Sequence, residues 1–113
     1  MKGPMPKPFK IKLRGWSCPA EEYTVRFVRK PFRTNIGGKV VLIKTGVADT
    51  ARKTIRIVWS TLRDPNHLLE TTYHEIDHGL HPHLDETAVQ EDTQAMMQIH
   101  RRWMKWMGYD EDE

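Results

Sequence analysis

Apolar and polar positions divide the chain into a first half that alternates and a second half that recurs at helical spacing. Tyr23-Thr24-Val25-Arg26-Phe27 alternates apolar with polar side chains and predicts a half-buried strand. The β-branched run Val40-Val41-Leu42-Ile43 predicts a second, more buried strand. Thr54-Ile55-Arg56-Ile57-Val58-Trp59 predicts a third, with Ile55, Ile57 and Trp59 on one face. Between them Pro31, Asn35, Gly37 and Gly38 are turn formers, and the polar stretch 46–53 is expected to turn back. Residues 1–19 mix Pro, Gly and Lys without a sustained period and are expected to form an extended basic arm ahead of one domain over 20–113.

From Asp64 onward the period changes. Asp64-Pro65 places a capping carboxylate before a proline at the first helical position, where a missing N–H costs nothing. Asn66 to His78 continues without a breaker, and Gly79 is expected to close that helix. After a short link containing Pro82, Asp85 caps a second helix running to Gly108. Val89, Thr93, Met96, His100, Trp103 and Met107 recur at spacings of three and four and mark its expected inward face. The elements predict an α+β fold, a sheet of about three strands packed against two antiparallel helices. Trp59, Trp103 and Trp106 are expected to anchor its core.

Composition changes this picture in two ways. At 113 residues with a single cysteine, Cys18, the chain fits one domain without an internal disulfide, so a cytoplasmic setting is expected. No apolar run approaches the ~18 residues of a membrane span, and the first residues lack the apolar stretch of a secretory signal; no membrane association is expected. The formal charge of +3 conceals a division: residues 1–63 carry 15 Lys/Arg against 3 Asp/Glu, residues 64–113 carry 3 against 12. The basic half makes nucleic acid a candidate partner, although charge runs more often meet solvent or the opposite half of their own chain.

The chemistry concentrates in His74-Glu75-Ile76-Asp77-His78. On a helix, positions four apart lie one above the other, so both imidazoles can address one ion. Glu75, one step round from His74, reaches a water beside that ion without competing for it. Random order of this composition yields such a HExxH roughly 0.02 times, and the motif falls within a segment separately read as a capped helix. A catalytic zinc takes a third protein ligand. Leu84 stands where a metzincin has its third histidine, and His81 where it has glycine, which excludes that class. Glu86 shares the inward face of the second helix and is the leading third ligand; His81 and His83 in the link are alternatives, and Glu91 falls on another face. His67, two turns before His74, reads as a solvated residue or as the mouth of the site. His100 is too far along its helix to be a ligand. Asp77 and Asp85 are candidates to orient an imidazole, and Tyr73, His81, His83 and Tyr109 to donate to an oxyanion.

The run His74-Glu75-x-x-His78, the Pro-containing link, Leu84-Asp85-Glu86-x-x-Val89 and Trp106-x-Gly108-Tyr109 resembles small HExxH proteins encoded by phages and prophages, and more distantly the SprT-like and ImmA/IrrE-like zincins. Tyr23 to Val28 and Lys53 to Ile57 resemble the strands preceding that family's metal helix. The resemblance implies a zincin-like fold, a zinc ion, Glu86 as third ligand and, for a phage-encoded chain, a host-cell cytoplasmic address. The chain departs from the family with Gly79 where Ala is common, and with Gln90 where larger gluzincins have Asp. The expected function is zinc-dependent hydrolysis of peptide or protein substrates with Glu75 as general base. The alternative is a non-catalytic module with structural zinc, engaging nucleic acid or a host protein through residues 1–63.

Overall fold

The computed structural model describes residues 1–13 and 21–108. The described residues form an α+β fold of six strands and two helices. The strands are β1 (Phe9–Leu13), β2 (Glu21–Val28), β3 (Phe32–Ile36), β4 (Lys39–Ile43), β5 (Gly46–Asp49) and β6 (Thr54–Val58), followed by α1 (Pro65–Leu80) and α2 (Glu86–Trp106). Four strands form one sheet in the order β1-β2-β6-β5, and β3 and β4 form a separate hairpin. Pairing is antiparallel for β1/β2 and β5/β6 and parallel for β2/β6.

The expected three-stranded sheet is therefore corrected. The three anticipated strands exist as β2, β4 and β6, but β4 belongs to the hairpin, and β1, β3 and β5 were not anticipated. Within the expected arm, Phe9, Ile11 and Leu13 alternate with Lys10 and Lys12, a period-2 signal masked by the surrounding Pro and Lys. It forms an edge strand against β2. The arm's boundary near residue 19, like Cys18, lies outside the described residues. β4 is also more exposed than its apolar run implies, with Val40 67% accessible and only Ile43 buried. Gly37 and Gly38 take positive φ at its hairpin turn, the conformation that two-residue hairpin loops demand.

Both faces of β6 are covered, which makes it the centre of the molecule. Ile55 and Ile57 are buried with Tyr23, Val25, Trp59 and Leu62, and Leu68 and Ile76 of α1 pack against that cluster. On the opposite face Val58 is buried with Ile43 and Val47, against Phe32 of the hairpin. Arg56, on that same side, holds its guanidinium 4.6 Å from the Phe32 ring centroid and donates to Thr34 Oγ1 at 3.0 Å. The hairpin, the sheet, α1 and α2 are thus successive layers.

The helix starts are as expected: Asp64 accepts from His67 N and Asp85 from Ala88 N, both at 2.8 Å. The end of α1 is not. Gly79 lies inside the helix, which runs on to Leu80 with His81 as its cap. A Cβ on Gly79 would stand 3.1 Å from Leu13 Cδ1, so this glycine lets α1 settle on β1 and β2. The α2 helix packs mainly on α1 through Val89, Thr93 and Met97. Trp103, Trp106 and Met107, expected inside, are 55%, 77% and 53% accessible. The pattern holds at Val89 and Thr93, but the third buried position is Met97 rather than Met96, and α1, 16 residues against the 21 of α2, does not cover the last turns.

Candidate metal centre

The helical geometry of α1 stacks His74 and His78 one turn apart, with ring centroids 4.9 Å from each other. The α2 helix then returns past α1 in the opposite sense: His78 meets Glu86 near the start of α2, while Glu70 meets Gln94 further along. Glu86 spans the histidine pair, with Oε1 2.6 Å from His74 Nε2 and Oε2 2.9 Å from His78 Nε2. Each of the three residues offers a ligand atom within 4.8 Å of the others, and they are the one group of this kind among the described residues.

The alternatives for the third position lie elsewhere. His81 Nε2 points toward Asp77 Oδ1 at 3.9 Å, and the His83 ring packs against His81. Glu91 is exposed outside the cluster. Glu86 itself is also exposed, with a side chain 72% accessible against 15% and 25% for the two histidines. The ligand set is therefore half-buried on its α1 side and open on its α2 side.

Glu75 occupies a different environment from Glu86. It is 6% accessible and lies against β5, where the backbone of Ala48 hydrogen-bonds its carboxyl group. Burial, and then the neighbouring charge of Glu86, push its pKa up to about 7, which the Ala48 hydrogen bond opposes. Space for this carboxylate is made by Gly46. A Cβ there would stand 3.1 Å from Glu75 Cγ and 3.2 Å from both Glu75 Oε2 and Thr71 Cγ2. Because Gly46 pairs with Ile57 and Ala48 with Ile55, both face α1 across a narrow gap. Sequence reasoning placed 46–53 in a polar reversal and missed this role.

The three candidate ligands and Glu75 open into a cleft of about 620 Å³, bounded by Gly46–Ala48 of β5 on one side and Pro82 and Gln90 on another. His67 lines it too, which favours the mouth of the site over a merely solvated position. Its Nδ1 accepts from Arg63 N at 3.1 Å, so in the neutral ring Nε2 carries the proton. Tyr73 is engaged away from the cleft with His100 Nδ1 at 3.3 Å, and Tyr109 lies outside the described residues. Asp85 is committed to capping α2. Asp77 is buried, and burial first, then the neighbouring Asp92 carboxyl, raise its pKa. Among the described residues, neither Asp hydrogen-bonds a ligand imidazole.

Comparison of the chain with protein-family models, curated proteins and solved structures returned no match in any of the three. No helix among the described residues is long and apolar enough to cross a membrane.

Proposed function

We propose that the chain is a zinc-dependent metallopeptidase of the HExxH type, with His74, His78 and Glu86 as metal ligands and Glu75 as general base. The observation that carries this reading is the convergence of both histidine Nε2 atoms on the two oxygens of one carboxylate, beside a separate buried carboxylate in an open cleft. Two imidazoles and a carboxylate form a donor set that suits zinc, and three protein ligands are the catalytic number, where structural zinc takes four. That count favours the enzyme over the module with structural zinc. The likeness of residues 74–89 to phage-type HExxH proteins supports the same assignment.

A zinc ion held there supplies Lewis acidity, polarising a substrate carbonyl and acidifying water. The chain's own residues do the rest. Glu75, fixed between β5 and α1, takes a proton from the attacking water and returns it to the leaving amine. Its position away from the three ligand atoms leaves it free to do so. The outer edge of β5 borders the cleft and offers backbone donors and acceptors to an extended peptide. His67 lines the same space.

The test pairs metal content with turnover. Protein purified without a histidine tag should carry about one zinc per chain. Glu75→Gln should retain that zinc while cleavage of a peptide library falls by about 10²–10⁴. Zinc-loaded protein that cleaves no library member, with wild type and Glu75→Gln alike, would replace this reading with the structural-zinc module.

A further inference from the structure

Residues 64–113 contain only three Lys or Arg, and all three fall within five positions at the exposed end of α2: Arg101, Arg102 and Lys105. Among the described residues, none of them is in an ion pair. The same two turns expose Trp103 and Trp106, whose rings meet edge to face with centroids 5.7 Å apart and planes at 90°. One ring thus turns its edge to the other, and Trp106, 77% accessible, leaves a ring face open to solvent. A shallow depression beside it is lined by Gln98, Arg101, Arg102, Lys105 and Trp106.

We propose that this end of α2 binds single-stranded nucleic acid, with bases stacking on the Trp106 and Trp103 rings and the three cations meeting phosphates. An exposed indole costs solubility without adding core, and cations interleaved with open ring faces match the alternation of base and phosphate along a single strand. The order of residues separates this from a membrane surface. Arg102 stands four positions before Trp106, on the same side of the helix and within the aromatic stripe, with Gln98 beside it. A face that enters lipid keeps such charges at its margins. A two-fold contact with a second copy would bring three cations toward their own equivalents, and two helical turns bury far less than the ~1,200 Å² of a stable interface. Duplex leaves no unstacked base for the rings. The surface does not depend on the metal centre.

The experiment is an anisotropy titration of full-length protein against labelled oligothymidylate of about 16 nucleotides, a length at the upper end of ordinary single-strand sites. With three phosphate contacts, log K should fall against log salt with a slope of about −2. Trp106→Ala should weaken binding about 5- to 150-fold, and Trp106→Phe should recover most of it. Arg102→Gln should weaken binding and reduce the slope by about 0.7. Circular dichroism of each variant should match wild type, since both side chains are exposed. No binding at low salt would overturn the proposal. So would binding that Trp106→Ala leaves unchanged, which would place the contact in the basic first half. Equal affinity for duplex, Trp106-dependent binding to anionic vesicles without oligonucleotide binding, or a Trp106-dependent dimer would each overturn it as well.

Discussion

The two ends of α2 share one helix and little else. Its first turns carry Glu86 to the histidine pair and bury Val89 and Thr93 completely against α1. Its last turns bury nothing fully and present two indoles and three cations to solvent. The residues of both ends recur at the same helical spacing, so period alone does not distinguish a packed face from a free one. The difference comes from the partner: α1 ends its support where α2 continues. Near the site, where β5, α1 and α2 approach one another, small residues such as Gly46 and Thr71 set the distances.

The largest effect should separate these ends directly. Met97 is 1% accessible, and Met97→Ala should cost about 2–5 kcal/mol in urea unfolding. Trp106→Ala removes a larger side chain and should change stability by no more than about 0.5 kcal/mol. Comparable losses would mean that the far end of α2 is packed after all.

Next is the ligand assignment. Glu86→Ala should weaken zinc binding on the order of 10–100-fold or more, and His74→Ala should abolish it. His81→Ala and His83→Ala should leave it nearly unchanged, because His81 faces Asp77 and His83 faces His81. Reversal of that order, measured by competition with a chelator, would move the third ligand into the Pro82 link.

A third prediction concerns the buried base in metal-free protein. The Glu75 carboxyl has a folded pKa of about 7, above its usual 4.5, so the folded state holds the proton more tightly than the unfolded state. Its contribution is harmless below pH 4.5, becomes destabilising as pH rises through 7, and stays so above. Glu75→Gln should thus stabilise metal-free protein by about 1–3 kcal/mol at pH 8 and hardly at all at pH 4.5. Saturating zinc should shrink the difference, since a nearby cation favours the carboxylate. A stabilisation independent of pH would point to packing rather than charge.

What was legible in the sequence follows the range of the interaction. His74, Glu75 and His78 lie within one turn and a half of a helix whose cap, Asp64-Pro65, is equally local. Glu86 was legible because a short link leaves α2 little choice about where to begin. The strands β1, β3 and β5 were not, since short strands at edges and in hairpins take their stability from neighbours, and their residues include Lys, Asn and Gly. Trp103 and Trp106 were misplaced because an apolar side chain announces a preference for burial, not the presence of something to bury it.

Gly46 gives the smallest expected effect and the closest test of how the crowded end is built. Nothing in its sequence neighbourhood distinguishes it from a turn glycine, and its backbone is not in the left-handed region. Its role is steric. A methyl group at this position meets the Cγ and Oε2 of Glu75 and a methyl of Thr71 at 3.1–3.2 Å, closer than ordinary van der Waals contact. Thr71 and Glu75 are both buried on α1, so neither moves aside without shifting the helix or turning the carboxylate toward Glu86. Gly46→Ala should therefore cost about 1–2 kcal/mol of stability, within the usual penalty for overpacking. Zinc affinity should change little, because no ligand atom touches Gly46. Turnover should fall more than stability suggests, since the displaced group is the base. Adding Thr71→Ser, which removes the methyl on one side of the gap, should restore part of the stability but not the turnover. If Gly46→Ala instead lowers zinc affinity as strongly as Glu86→Ala, then β5 positions the metal-binding helix itself rather than the carboxylate beside it.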